Sequence, residues 1–514
     1  MRAAARTPCS NPGWPSTKTE TPAGVRRVFL FWWAMRDLNP HSSGYEPPAL
    51  TVKLMARIHS IVYYTTPRRV CQGRRVFFCP AGHILLPKRL LPKKGGLAVR
   101  RVGWGLAALL LVLVTVLAPL RLAGHRPAAP GVPGPSAAAT AAPAASALPE
   151  RAAPYRAVWV SYLEWQQVDF SSAGAFAADV GRMFDNIAAL GATVVLAQVR
   201  PFGDALYPSA YYPFSHLCTG VQGQDPGFDP LALLVQAAHE RGLELEAWVN
   251  PYRLQAGGAP ALCSESPAVR HPEWVRATAD GLYLNPADPQ VRAFLAAAVE
   301  ELCAGYDIDG VHFDDYFYPT TDPAFDEVDY AAAGTTLPLA DWRRQNVDAL
   351  MAACYQAAHA YGVRFGAAPL ADLELCREGQ YSDAARWLAQ GGYVDYLMPQ
   401  FYWGLNYEQN GSGAHALGTL AAQWAALPRA EGVALYGGLG AYRIGAGDGT
   451  TGPEGEWSGG RALADQLDAL AGLGYGGAGL YRYASLWANP GWPELAGQEA
   501  AAVAARWARA DPAC

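Results

Sequence analysis

With 514 residues, 51% of them hydrophobic, the chain can bury a large core, and a single α/β barrel fits within it with sequence to spare. A formal net charge of -5, with the basic residues concentrated before Arg126, leaves the rest acidic and argues against nucleic acid as the main partner. The 16 Trp and 26 Tyr supply rings that either fill a core or offer flat faces to sugars.

Residues 1–95 show no periodicity and read as an unstructured extension. Within them, Met35–Ala56 resembles the conceptual translation of a transfer-RNA gene, which would place the true start shortly before Val102. Val102–Leu120 is an uncharged run of about 19 residues, enough to cross a bilayer. Lys88, Arg89, Lys93, Lys94, Arg100 and Arg101 precede it, and basic flanks stay cytoplasmic. Segment 96–122 is therefore expected to be a single transmembrane anchor or a signal segment, with the C-terminal part extracytoplasmic, or secreted if the segment is cleaved. Residues 123–153, rich in Pro and Ala, form a semi-rigid linker.

From 154 to 510 short β-branched or aromatic runs alternate with Ala/Leu-rich stretches, the pattern of βαβ units. Eight strands are predicted: Ala157–Ser161, Thr193–Val199, Leu245–Asn250, Gly310–Asp314, Val363–Ala368, Tyr393–Gln400, Val433–Gly438 and Gly479–Tyr483. Helices over Phe176–Leu190, Leu231–Arg241, Val291–Ala304 and Val347–Tyr361 each run into a glycine, the usual residue past a helix end. Eight such units predict a (β/α)8 TIM barrel, with its site where strands run into βα loops.

Those ends are polar. Glu164 and Trp165 follow strand one, Arg200 and Asp204 strand two, Asn250 and Arg253 strand three, and Gln400, Tyr402 and Trp403 strand six. On strand four, alternation puts His312, Asp314 and Tyr316 on one face and Val311 and Phe313 on the other. The polar trio is expected to face the barrel mouth, with Asp314 central and Asp315 at the rim. Glycoside hydrolysis usually takes two carboxyl groups, one protonating the leaving oxygen and one acting as nucleophile or base. Asp314 is the first candidate. Asp315, Glu164, Asp204 and Asp372 compete for the second role, since the ends of strands six, seven and eight offer no carboxylate. Alternatively, one Asp only caps a loop or pairs with Arg200. Tyr162, Trp165, Tyr402 and Trp403 are the candidate sugar-stacking rings.

The segments QVRPFGDALYPS, EAWVNPYR, DGVHFDDYFYP and YLMPQFYWG, in this order, resemble the bacterial glycosyl-hydrolase-like family ten, also called domain of unknown function 187. The resemblance implies a barrel, a secreted or lipid-linked location and a cell-wall glycan substrate, since family members include a division-site hydrolase of peptidoglycan glycan strands. It carries over Arg200, Asp204, Asn250, Asp314, Asp315, Gln400 and Tyr402 as pocket residues. After strand five, Ala368-Pro369-Leu370-Ala371 departs from the family's Ser-Pro-Phe-Gly turn. Strand four is also distantly similar to family eighteen chitinases, but His312 replaces their middle Asp and Tyr316 stands at their catalytic Glu. Its D-G-x-x-x-D spacing is shared with the amylase clan, whose strand-five Glu has no counterpart here.

The resulting expectation is a glycoside hydrolase with Asp314, Asp315 and Glu164 catalytic. Arg200, Asp204, Asn250, Arg253, His312, Tyr316, Gln400, Tyr402 and Trp403 would bind substrate. Partners are a cell-wall polysaccharide and, through the N-terminal helix, a membrane. No cofactor or metal is predicted, because no His/Cys cluster has zinc spacing. A catalytically inactive glycan-binding barrel and a hydrolase of another polysaccharide are the alternatives. Cys218 and Cys263 lie in adjacent βα loops and are expected to form a disulfide.

Overall fold

The computed structural model describes residues 154–510 except 258–259, 315–316 and 450–454. The extension, the expected membrane segment and the linker lie outside the described residues, as do Asp315, Tyr316 and Cys514. No helix among the described residues is long and apolar enough to cross a membrane.

The strands of the main sheet are β1 (Tyr155–Val160), β2 (Val194–Arg200), β3 (Glu244–Val249), β7 (Gly310–Phe313), β8 (Arg364–Ala367), β9 (Tyr396–Leu397), β10 (Gln400–Phe401), β11 (Ala434–Leu435), β12 (Gly437–Gly440) and β13 (Gly477–Tyr481). All pairings are parallel, in the order β10-β12-β13-β1-β2-β3-β7-β8-β9-β11. Met398 and Pro399 separate β9 from β10, and Tyr436 separates β11 from β12. The two outermost segments of the order thus continue strands inside it, and the curled sheet fits a TIM-like barrel. The predicted strands lie within a few residues of these runs.

Helices follow the strands: α1 (Ala173–Ala189), α2 (Pro230–His239), α3 (Pro289–Gly305), α4 (Leu339–His359), α5 (Ala384–Ala389), α6 (Leu417–Ala425), α7 (Ala462–Gly472) and α8 (Pro493–Ala510). Ser172, Asp229 and Asp288 cap α1, α2 and α3 through their side chains, and Pro opens α2 and α3. Gly191 and Gly362 take the left-handed backbone expected just past a helix, at φ 86° and 71°. Gly305 instead ends α3 itself and Tyr306 follows as its cap. The sequence reading missed a small antiparallel sheet after β3, made of β4 (Arg253–Ala256), β5 (Val275–Thr278) and β6 (Gly281–Leu284), in the order β4-β6-β5.

Strand alternation divides the apolar residues into two layers. Val158, Val160, Val195, Ala197, Val311 and Phe313 face the helices, whereas Ala157, Trp159, Leu196, Trp248, Tyr396 and Met398 fill the inside. Large interior side chains lie opposite glycines. A Cβ on Gly366 would meet the Tyr396 ring at 2.0 Å, and one on Gly479 would meet Trp159 and Met398 at 2.8 Å. The expected disulfide is not formed, since Cys218 and Cys263 are both free thiols. Cys218 is buried under the 216–219 turn, whereas Cys263 lies against Gly223 with its N–H on Gln222.

Candidate active site

At the C-terminal mouth of the sheet, Asp314 follows β7 directly and is only 4% exposed. Its Oδ2 accepts from Trp248 Nε1 at 3.1 Å and from Asn250 Nδ2 at 2.5 Å. Trp248 and Asn250 share the inward face at the end of β3. Asn250 is itself oriented. Its Oδ1 accepts from Gln198 Nε2 at 2.6 Å, and Gln198 Oε1 accepts the Tyr162 N–H at 2.8 Å. The backbone N–H sets which way the Gln198 amide faces, Gln198 sets Asn250, and Asn250 can then only donate to Asp314. Both donors stabilise negative charge on that oxygen.

A cluster of rings packs beside Trp248. Tyr481, ending β13, contacts Trp248, with centroids 6.4 Å apart, and stacks on Tyr402 at 5.5 Å. Tyr442 meets both Tyr402 and Tyr481 edge-on. Burial raises the Tyr442 phenol to about 12 and raises that of Tyr481 further, so both hydroxyls stay protonated at neutral pH. Sequence reasoning missed Gln198, Trp248, Tyr442 and Tyr481 as site residues. The alternation that selected Asp314 would have found Gln198, Trp248 and Tyr481.

Below the mouth lies a buried polar chain. Trp159 Nε1 donates to His312 Nε2 at 3.2 Å, so the other ring nitrogen carries the proton and donates to the Tyr396 hydroxyl at 2.7 Å. Tyr396 donates in turn to Glu246. Burial lowers the His312 pKa to about 3, leaving the ring neutral. His312 does face inward as expected, but it is sealed under the Trp159 layer and is not open to substrate.

Other expected site residues are placed differently. Glu164 uses both oxygens structurally: Oε2 accepts the Ser161 N–H at 2.9 Å and hydroxyl at 2.5 Å, and Oε1 accepts from Arg482 at 2.6 Å and the Ala484 N–H at 3.0 Å. It caps the turn after β1 and ties it to the end of β13. Asp204, fully buried, accepts from Ser215, His216 and Gln222 and holds the loop after β2 together. Arg200 was expected beside Asp314. A bulge between Gln198 and Arg200 breaks the alternation and sends Arg200 to the helix side, over the Tyr212 ring at 4.4 Å. Arg253 donates to Pro201 O at 3.0 Å and covers the Phe202 ring.

Gln400, which opens β10, donates to Ala368 O at 2.9 Å. Tyr402 faces the mouth, so its neighbour Trp403 faces away and is buried in the outer core beside Tyr407 and His415. Trp165 is likewise core, its indole on Gln198 O. Asp372 pairs with His415 at 3.1 Å. The loop after β12 brings two unforeseen rim carboxylates: Asp448 accepts the Gly404 N–H and Glu456 the Leu405 N–H.

Residues 154–454 match the sequence profile of a family described as Glycosyl hydrolase-like 10. Glycosyl hydrolase YngK of Bacillus subtilis (strain 168) is 35% identical over 327 residues, covering 56% of this chain and 61% of that protein. The chain thus spans less than two thirds of that relative. Glycosyl hydrolase DigH of Escherichia coli (strain K12) is 33% identical over 333 residues, 57% of this chain and 74% of that protein. Among solved structures, the PgaB (BpsB) glycoside hydrolase domain of Bordetella bronchiseptica is similar at a TM-score of 0.44 and 15% identity, covering 68% of this chain and 98% of that one.

Proposed function

Because the chain belongs to the glycosyl hydrolase-like 10 family, we propose that it hydrolyses glycosidic bonds in a cell-wall (peptidoglycan) glycan, outside the cytoplasmic membrane. The observation that carries the reading is Asp314, a carboxylate held at the mouth by Asn250 and by Trp248, whose ring packs against Tyr481 and through it on Tyr402 and Tyr442. The rings offer apolar faces to sugar C–H groups. Asp314 acts as nucleophile or stabilises the developing oxocarbenium charge, and its fixed Oδ2 keeps the carboxylate oriented as that charge forms. Asp315, the next residue, is the proton donor. The family motifs support a wall substrate, and the basic-then-apolar order before the barrel supports an extracytoplasmic barrel.

One observation favours the second reading, a glycan-binding barrel without turnover. Glu164 and Asp204, both expected near the chemistry, spend their oxygens on building loops.

The test is digestion of peptide-free wall glycan by the purified full chain, with product masses. We expect shorter glycan fragments. Asp314→Asn should fold and bind glycan while turnover falls by roughly two orders of magnitude or more. Near-normal turnover in the folded variant places the chemistry elsewhere. Binding without fragments from the parent chain favours the inert barrel, and fragments only from another polysaccharide overturn the wall substrate.

A further inference from the structure

Arg200 lies outside the mouth and has no role in the chemistry above. Its side chain is 1% exposed, and Nε and both Nη atoms have no hydrogen-bond partner among the described residues. The hydroxyls of Tyr207 and Tyr212 are buried and also without a partner. Both phenols feel the guanidinium charge, and the guanidinium carbon stands 4.4 Å from the centroid of the Tyr212 ring. The thiol of Cys354, on α4, feels the same charge. Glu301 is the carboxylate that acts on both phenols, but its oxygens already accept from Ser209 and the Ala210 N–H.

A guanidinium does not lose its proton in a protein, so burial cannot neutralise it. A buried charge without a counter-charge is strongly unfavourable, and a ring face offsets only part of that. One guanidinium and two neutral hydroxyl donors match one negative charge. A doubly charged anion would leave a net negative charge in the same apolar surroundings.

We propose that Arg200, Tyr207 and Tyr212 form a buried binding site for a small monovalent inorganic anion of the halide type. The anion accepts from the guanidinium and from the two hydroxyls. The site adjoins the bulge that follows Gln198 in β2, and the Asn250 N–H bonds Arg200 O at 3.0 Å. Anion binding therefore stabilises the loop base from which Gln198 and Asn250 reach Asp314. The proposal concerns stability and does not depend on the chain being a hydrolase.

The probe is chloride. The full chain is melted at constant ionic strength while sodium gluconate, whose anion is too large for a buried site, is exchanged for sodium chloride. The melting temperature should rise with chloride by at least about 2 °C and saturate, as mass action on a folded-state site requires. Arg200→Gln should abolish the response. Tyr207→Phe and Tyr212→Phe keep the ring and remove only a hydroxyl, so they should raise the half-saturating chloride several-fold. They remain informative if the Arg200 variant does not fold. Crystals grown in bromide should show an anomalous peak beside Arg200. Identical melting in both salts with no bromide peak there overturns the proposal, and so does a chloride response unchanged in both Phe variants.

Discussion

Asp314 is set by its neighbours. Trp248 and Asn250 donate to one of its oxygens, and the Gln198 amide removes the freedom of Asn250 to turn its carbonyl that way. His312, one layer lower, is kept neutral by burial, and its pKa is lowered from 6.5 to about 3. The unfolded chain binds this proton below pH 6.5 and the folded chain does not until about pH 3. The unfolded state therefore holds more protons across that window, and stability falls as pH drops through it, by an amount on the order of a few kcal/mol. His312→Gln should flatten the fall in melting temperature on acidification, read by thermal melts from neutral pH to about pH 4. A slope as steep as that of the parent would assign the acid sensitivity to other groups. Trp403 and Tyr402 are adjacent but face opposite layers. Trp403→Ala should cost about 3–5 kcal/mol in chemical denaturation, as for a large core ring, with glycan affinity of the folded fraction unchanged. Weaker binding at full stability would return Trp403 to the site.

At the scale of elements, bulky inward residues on some strands fit against glycines on their neighbours. Tyr396 takes the space that a side chain on Gly366 would need, and it is held by hydrogen bonds to Glu246, His312 and Tyr155. It cannot turn aside. Gly366→Ala should therefore cost about 3 kcal/mol, the upper end for overpacking, measured as a shift of the urea midpoint. A loss below about 1 kcal/mol would mean that the interior yields more readily than its hydrogen bonds suggest. The loops are built with equal economy. Glu164 bridges the first and last strands through Ser161 and Arg482, and Asp204 gathers three partners from one loop. Carboxylates at strand ends thus hold the mouth in shape.

For the whole molecule, the basic residues, the apolar run and the Pro/Ala linker precede the barrel in the order that would hold it outside the membrane. Protease added to intact spheroplasts should remove the barrel or cut the linker. Complete protection until lysis would reject this topology. The proposed glycan polymer lies on the same side, so topology and substrate stand as one testable arrangement.

Periodicity alone determined the strands of the main sheet, the C-terminal ends of four helices to within about two residues and the inward face of β7, because strand alternation and helix capping are local rules that neighbours in sequence obey. The same rule reached His312 and Asp314 but gave no depth along the strand, so a sealed core histidine and a mouth carboxylate looked alike. The fate of Arg200 was decided by one extra residue in β2, a bulge with no mark in the local composition. Glu164 read as an acid at a strand end, and only its meeting with Arg482, 318 positions away, reveals a clamp. Tyr481 and Trp248 became walls of one pocket because the sheet curls to bring β13 and β3 across from each other. Local order follows from the chain's own spacing, whereas depth, bulges and long-range partners arise only when distant strands close on a shared interior.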